Sequence, residues 1–185
     1  EINSKIIYNE EYYFQKLDSL LNSSIKKQLV SDAPLGVFLS GGLDSSILSS
    51  IAAKNISGQL KTYSVGFKEK KYDETYKART IAKYIDSEHT EVFVGKEDFF
   101  NNIEKIIEVK DVPLSIPHEY PLYLLSKKMK QEIKVVLSGE GADEFFGGYA
   151  RVQNSPIDFI KANFILKFSD SSFIKKIFSI DKRFN

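Results

Sequence analysis

GVFLSGGLDSS, Gly36 to Ser46, is the stretch on which the fold turns. Val37, Phe38 and Leu39 are apolar, strand-forming types in an unbroken run, which predicts a short buried strand. Gly41 and Gly42 follow at once. Then comes LDSSILSSIAAK, with Leu43, Ile47, Leu48 and Ile51 at helical spacing. Strand, glycine turn and helix meet within a few residues. Such a turn aims unpaired backbone N–H groups and a helix N-terminus at one spot, which suits a phosphate. Glycines let the backbone approach the oxygens and adopt positive φ. Asp44 sets a carboxylate where an anion should sit, and a divalent cation between carboxylate and phosphates removes that conflict. The stretch therefore reads as a nucleotide-phosphate loop with a magnesium ligand built in. The plainer alternative is a glycine turn whose Asp44 is solvated and favoured by the helix dipole. It is not a Walker loop, because GxxxxGK followed by Ser or Thr occurs nowhere. Nor is it a nucleophile elbow, since Phe38 stands where that turn needs glycine.

Outward from this centre the chain alternates. Upstream, Glu10 to Val30 predicts an amphipathic helix, with Tyr13, Leu17, Leu20, Leu21, Ile25 and Leu29 at three- and four-residue steps. Pro34 closes that segment. Downstream, Lys61 to Gly66 predicts a second strand and Tyr72 to Asp86 a helix capped at or near Asp73. Glu88 to Val94 predicts a third strand and Lys96 to Val109 a helix. Asp111 to Pro121 holds three prolines and predicts a shaped loop. A helix over Tyr120 to Gln131 and a fourth strand over Ile133 to Leu137 follow. Ser138 to Tyr149, SGEGADEFFGGY, reads as a second glycine-rich turn, with acidic residues.

This order implies an α/β fold, a parallel sheet with helices on both faces and right-handed crossovers. The expected strand order is 3-2-1-4. Ligands in such folds sit beyond the carboxyl ends of the strands, at the switch in strand order. Both glycine turns leave the carboxyl end of a strand. If strands one and four are neighbours, the turns share one crevice, and Asp44 and Asp143 can serve one magnesium. The expected division is a helix over 1–34, a nucleotide-binding α/β core over 35–151 and a helical tail over 152–185.

Composition excludes several alternatives. The 185 residues carry 26 basic and 25 acidic side chains, so no generic nucleic-acid surface is indicated. There is no cysteine, hence no disulfide, thiol nucleophile or thiolate metal site. Two distant histidines, His89 and His118, argue against a zinc site. No apolar run reaches membrane-spanning length, and the first residues do not resemble a signal peptide. A cytoplasmic protein without nucleic-acid or membrane partners is the expectation.

Several segments occur in order: SGGLDSS, TYSVGF, YDE, HTEV, the proline-rich loop and SGEGADEFFGGY. SGGLDS alone resembles the pyrophosphate loop of ATP pyrophosphatases that adenylate a substrate. The whole set resembles the synthetase domain of glutamine-hydrolysing asparagine synthetases, over roughly Val30 to Arg151. β-Lactam-forming synthetases and amidotransferase-like relatives share these motifs. The resemblance implies that the Phe38 and Val65 backbone holds adenine. It implies that Ser40, Gly41, Gly42, Asp44 and Ser45 hold the pyrophosphate part of ATP, with Ser138 and Gly139 near the ribose and α-phosphate. Asp44 and Asp143 would bind Mg2+, and Glu140 would face the acyl-adenylate. The implied reaction is ATP-dependent conversion of aspartate to asparagine through β-aspartyl-AMP, with ammonia from a glutaminase domain. A homodimer is a further partner expectation. An alternative is a nucleotide-binding remnant without turnover.

The chain departs from that pattern at both ends. It has no catalytic cysteine for a glutaminase domain, and nothing like the later ExRxPF element or phosphate-contacting lysine follows Arg151. Lys161, Lys167, Lys175 and Lys176 lack that context. The expectation is a fragment of a longer enzyme. Ile157 to Phe184 carries six basic and three acidic residues and predicts amphipathic helices around 156–167 and 171–179.

Overall fold

The computed structural model describes residues 9–114, 118–149, 155–157 and 159–160. The chain divides into two compact units, Glu1–Gly139 and Glu140–Asn185. In the first, α1 (Glu10–Gln28) precedes β1 (Leu35–Phe38), α2 (Leu43–Asn55) and β2 (Lys61–Phe67). Then come α3 (Thr75–Tyr84), β3 (Glu88–Val94), α4 (Lys96–Lys110), α5 (Glu119–Met129) and β4 (Val135–Leu137). The four strands form one sheet in the order β3-β2-β1-β4, every pair parallel. The expected strand order is thus the observed one.

The register fixes the carboxyl edge. Phe38 lies opposite Tyr63, and Val37 opposite Leu137. The Leu39 N–H still donates to the Tyr63 carbonyl at 2.8 Å, so pairing runs to the first residue of the loop. Successive strand residues face opposite sides, and the core splits accordingly. Val37, Leu137 and Leu60 pack with Ile25 of α1 and Ile51 and Ala52 of α2. On the other side Tyr63, with Phe38, Val65 and Val92, packs on Leu125, Met129 and Ile133. Leu39 packs on Ala78 and Ala82 of α3.

Several helix faces differ from the apolar spacing. In α2 the buried residues are Ser45, Ser49, Ile51 and Ala52, while Leu43 is 75% exposed. Small residues let the helix lie close to β1, and closeness outweighs the area a leucine would bury. In α1 only Ile25 is buried, and Tyr13, Leu17 and Leu20 stay exposed. The Asp111–Pro121 loop is shorter than its prolines suggest, because α5 begins at Glu119 and takes Pro121 into its first turn. The first-turn N–H groups have no intrahelical partner, so proline costs no hydrogen bond there.

The second unit holds α6 (Ala142–Phe146), a five-residue helix within the segment read from sequence as a turn. Gly141 N-caps it with φ +91° and Gly147 C-caps it with φ +67°. Residues 155–157 and 159–160 are also helical. The helix expected at 171–179, and most of that at 156–167, lie outside the described residues.

Candidate functional site

The SGGLDS segment leaves the carboxyl end of β1 and becomes the first turn of α2. Its shape is held by its own hydroxyls. The Ser40 N–H donates to Ser45 Oγ at 3.2 Å, and the two hydroxyl oxygens are 2.9 Å apart. The Gly42 N–H donates to Ser40 Oγ at 3.2 Å. Ser45 and Ser46 hydroxyls both donate to the Gly42 carbonyl, at 3.2 and 2.6 Å. One proton assignment satisfies all of these. Ser40 donates to Ser45, and Ser45 donates to Gly42. Ser40 and Ser45 are therefore braces of the loop, a role beyond the phosphate contact expected of them.

Gly41 has φ +80°, a region that side-chain-bearing residues avoid. A Cβ there would also stand 2.5 Å from the Ala78 nitrogen and 2.5 Å from Lys77 Cβ. The start of α3 thus presses on the loop from one side. On another side Gly139, just past β4, comes close. A Cβ on Gly139 would meet Asp44 Cβ at 3.2 Å and the Ser45 nitrogen at 3.2 Å. Backbone from β4 therefore touches the N-terminal turn of α2, as adjacency of β1 and β4 requires.

The predicted site residues can now be placed. Phe38, Ser40, Gly41, Gly42, Asp44, Ser45, Val65, Ser138 and Gly139 all belong to the first unit. The loop residues and Gly139 are brought together there. Asp44 is exposed in the first turn of α2. Phe38 and Val65 are half-buried on neighbouring strands, with side chains in the same cluster under α5. Glu140 and Asp143 belong to the second unit. Glu140 is exposed and Asp143 half-buried in the first turn of α6. Within that unit the Asp143 carboxylate lies against Gly148, where an added Cβ would meet its Oδ1. The Tyr149 hydroxyl donates to Glu144 at 2.6 Å and holds that carboxyl below the usual carboxylate range.

Two features escaped the sequence. The first is the contact of Lys77 and Ala78 with Gly41. Its only signal was position, since a helix after a strand starts at the sheet edge where ligands bind. The second is a polar cluster between β2, β3 and α3. His89 is hydrogen-bonded to Thr62 at 2.9 Å and to Ser64 at 3.1 Å. Glu91 beside it receives a bidentate pair from Arg79 of α3, at 3.1 and 2.8 Å. Burial pushes the His89 imidazole below its ordinary value; Glu91 opposes that shift and Arg79 adds to it. No helix among the described residues is long and apolar enough to cross a membrane.

The family model described as asparagine synthase matches residues 16–167. Asparagine synthetase (glutamine-hydrolyzing) 1 of Bacillus subtilis (strain 168) is 39% identical over 140 residues, covering 76% of this chain and 22% of that protein. Asparagine synthetase (glutamine-hydrolyzing) 1 of Arabidopsis thaliana is 37% identical over 147 residues, covering 72% of this chain and 25% of that protein. The chain thus spans about a quarter of the length of these curated relatives. Among solved structures, the NH3-dependent NAD synthetase from Campylobacter jejuni, in complex with the nitrate ion, superposes with a TM-score of 0.51. It is 13% identical, and the match covers 92% of this chain and 84% of that one, a likeness of fold.

Proposed function

The chain belongs to the asparagine synthase family, and from that premise we propose that it is the ATP-using part of an amide-forming ligase. The observation that carries this reading is the loop after β1, braced by Ser40 and Ser45 and touched by Gly139 and α3. A preformed loop at a helix N-terminus offers oriented N–H donors to a polyphosphate without reorganisation on binding. We assign the Ser40–Ser45 loop to the pyrophosphate part of ATP, the Phe38 and Val65 backbone to adenine, and Ser138 and Gly139 to the ribose and α-phosphate.

In the proposed reaction an aspartate side-chain carboxylate oxygen attacks the α-phosphorus. The bond from that phosphorus to the bridging oxygen breaks, and pyrophosphate leaves. Ammonia nitrogen then attacks the β-aspartyl carbonyl carbon, AMP departs, and a proton is released as asparagine forms. Glu140 is the group proposed to face that acyl centre. The protein's share is positioning and charge stabilisation. In these relatives' names glutamine is the compound hydrolysed, so a glutaminase partner is the proposed ammonia source.

Asp44 and Asp143 are the proposed holders of Mg2+, which when bound would neutralise the charge on the departing pyrophosphate. Their hard carboxylate oxygens suit that ion. Among the described residues no group of three or more His, Asp or Glu side chains gathers into a metal site. The remaining shell would come from phosphates and water, as is usual for magnesium beside a nucleotide.

The test is isotope exchange between labelled pyrophosphate and ATP, with and without aspartate. Aspartate-dependent exchange is expected. Binding of ATP without exchange would reduce the chain to a nucleotide-binding module, and no binding would remove the reading.

A further inference from the structure

The Lys77 side chain is the least explained charge at the edge of the loop. It lies in the first turn of α3, with its Cβ 2.5 Å from where a Gly41 Cβ would be. The backbone of Gly41 can approach α3 this closely only because glycine has no side chain. The lysine stem is thereby fixed beside the loop. Its ammonium is held at 2.9 Å by Glu74, one turn back at the N-cap of α3. Both ends of that pair are exposed, 40% for Lys77 and 68% for Glu74. An exposed i,i+3 pair is worth little and exchanges rotamers in picoseconds to nanoseconds. Lys77 is therefore tethered but readily released.

We infer that Lys77 is a phosphate-binding cation of the SGGLDS loop, parked on Glu74 until a polyphosphate displaces that carboxylate. This rests on reading the loop as the pyrophosphate site. Three placements support it. The first turn of α3 lies against Gly41, in the loop that leads into α2. A cation in a first helical turn is disfavoured by the helix dipole, and a nearby anion relieves that cost. The loop's own hydroxyls are engaged within it and it contains no cationic side chain, so a positive charge for a phosphate would come from a neighbour such as Lys77. Glu74 would act as a gate, because it competes for the same ammonium.

The test is calorimetric titration of ATP and AMP, in magnesium buffer, into the wild type, Lys77→Met, Lys77→Arg and Glu74→Gln. The account expects Lys77→Met to weaken ATP by about tenfold or more while AMP binds as in the wild type. Lys77→Arg should stay within a few-fold of wild type for ATP. Glu74→Gln leaves the lysine in place, and should tighten ATP a few-fold by freeing it. If Lys77→Met binds ATP like the wild type, or loses AMP equally, the inference is overturned while the loop assignment stands. Unchanged or weaker ATP binding by Glu74→Gln overturns the gating role, whatever the Lys77 variants do. If the wild type binds no ATP, the loop assignment fails first and this inference falls with it.

Discussion

The two glycine turns obey different rules. Gly41, in the first, is crowded: its φ is +80° and α3 backbone fills the space a side chain would need. Gly141, in the second, has φ +91° but nothing among the described residues within 4 Å of an added Cβ. The first turn is shaped by packing from outside as well as by its backbone. The second needs its glycine for backbone conformation alone. A site that must present several N–H groups to one anion gains from the first arrangement, since fixed donors need no reorganisation. The second turn instead carries acidic side chains, Glu140, Asp143 and Glu144, the last of them held by the Tyr149 hydroxyl.

This contrast can be broken by substitution. Gly41→Ala adds left-handed strain to a collision with backbone, so we expect about 2 to 4 kcal/mol of destabilisation. Gly141→Ala should cost only the strain, about 1 to 2 kcal/mol. Equal losses in thermal or denaturant unfolding would erase the distinction. Next in size, Asp44→Ala should leave unfolding within about 0.5 kcal/mol of wild type, because Asp44 is exposed. It should remove the magnesium-dependent part of ATP affinity, about 2 to 3 kcal/mol. Titration curves that match wild type would contradict the loop's cation. Gly148→Ala sharpens the other side. Its Cβ would displace the Asp143 carboxylate, a movable group, so stability should barely change. Magnesium-dependent ATP binding should nonetheless weaken by about tenfold. A variant that keeps the wild-type magnesium-dependent ATP binding would show that Asp143 has no such role.

The smallest effect concerns the helix that braces the first turn. α3 is tied to β3 by Arg79 and Glu91, next to half-buried His89. Burial lowers the His89 pKa in the folded chain, so the neutral form is the stabilised one. Its contribution is present above the unfolded value, about 6.5, and is lost as pH falls through the folded one. Unfolding followed from pH 7.5 to 5 should show wild type losing more stability than His89→Gln. Parallel losses would remove His89 from the account.

Much of this was readable from residue order. Val37 to Leu39 followed by two glycines and a helical repeat predicts the β1–loop–α2 unit, and the alternation of elements predicts the sheet. Sequence-adjacent parallel strands tend to pair, which covers β1, β2 and β3; that β4 lies beside β1 is more than the alternation alone requires. Helix faces were harder. Leu43 and Ile47 belong to the apolar signal of α2 yet stay exposed, while Ser45 and Ser49 are buried beside Ile51 and Ala52. Hydrophobicity marks which residues prefer burial, but the distance between helix and strand decides which fit. The bracing roles of Ser40 and Ser45 were hidden for a similar reason, as a hydroxyl that binds phosphate and one that closes a turn are the same residue type. The contact between Lys77 and Gly41 joins positions far apart in the chain and has no local signature.

The most direct trial of the shared-cation claim is a double-mutant cycle on magnesium-dependent ATP binding, with Asp44→Asn, Asp143→Asn and both together. If the two carboxylates grip one ion, each single change should remove most of the magnesium effect and the pair should add little more. Losses that simply sum, or an Asp143→Asn variant that binds like wild type, would contradict it.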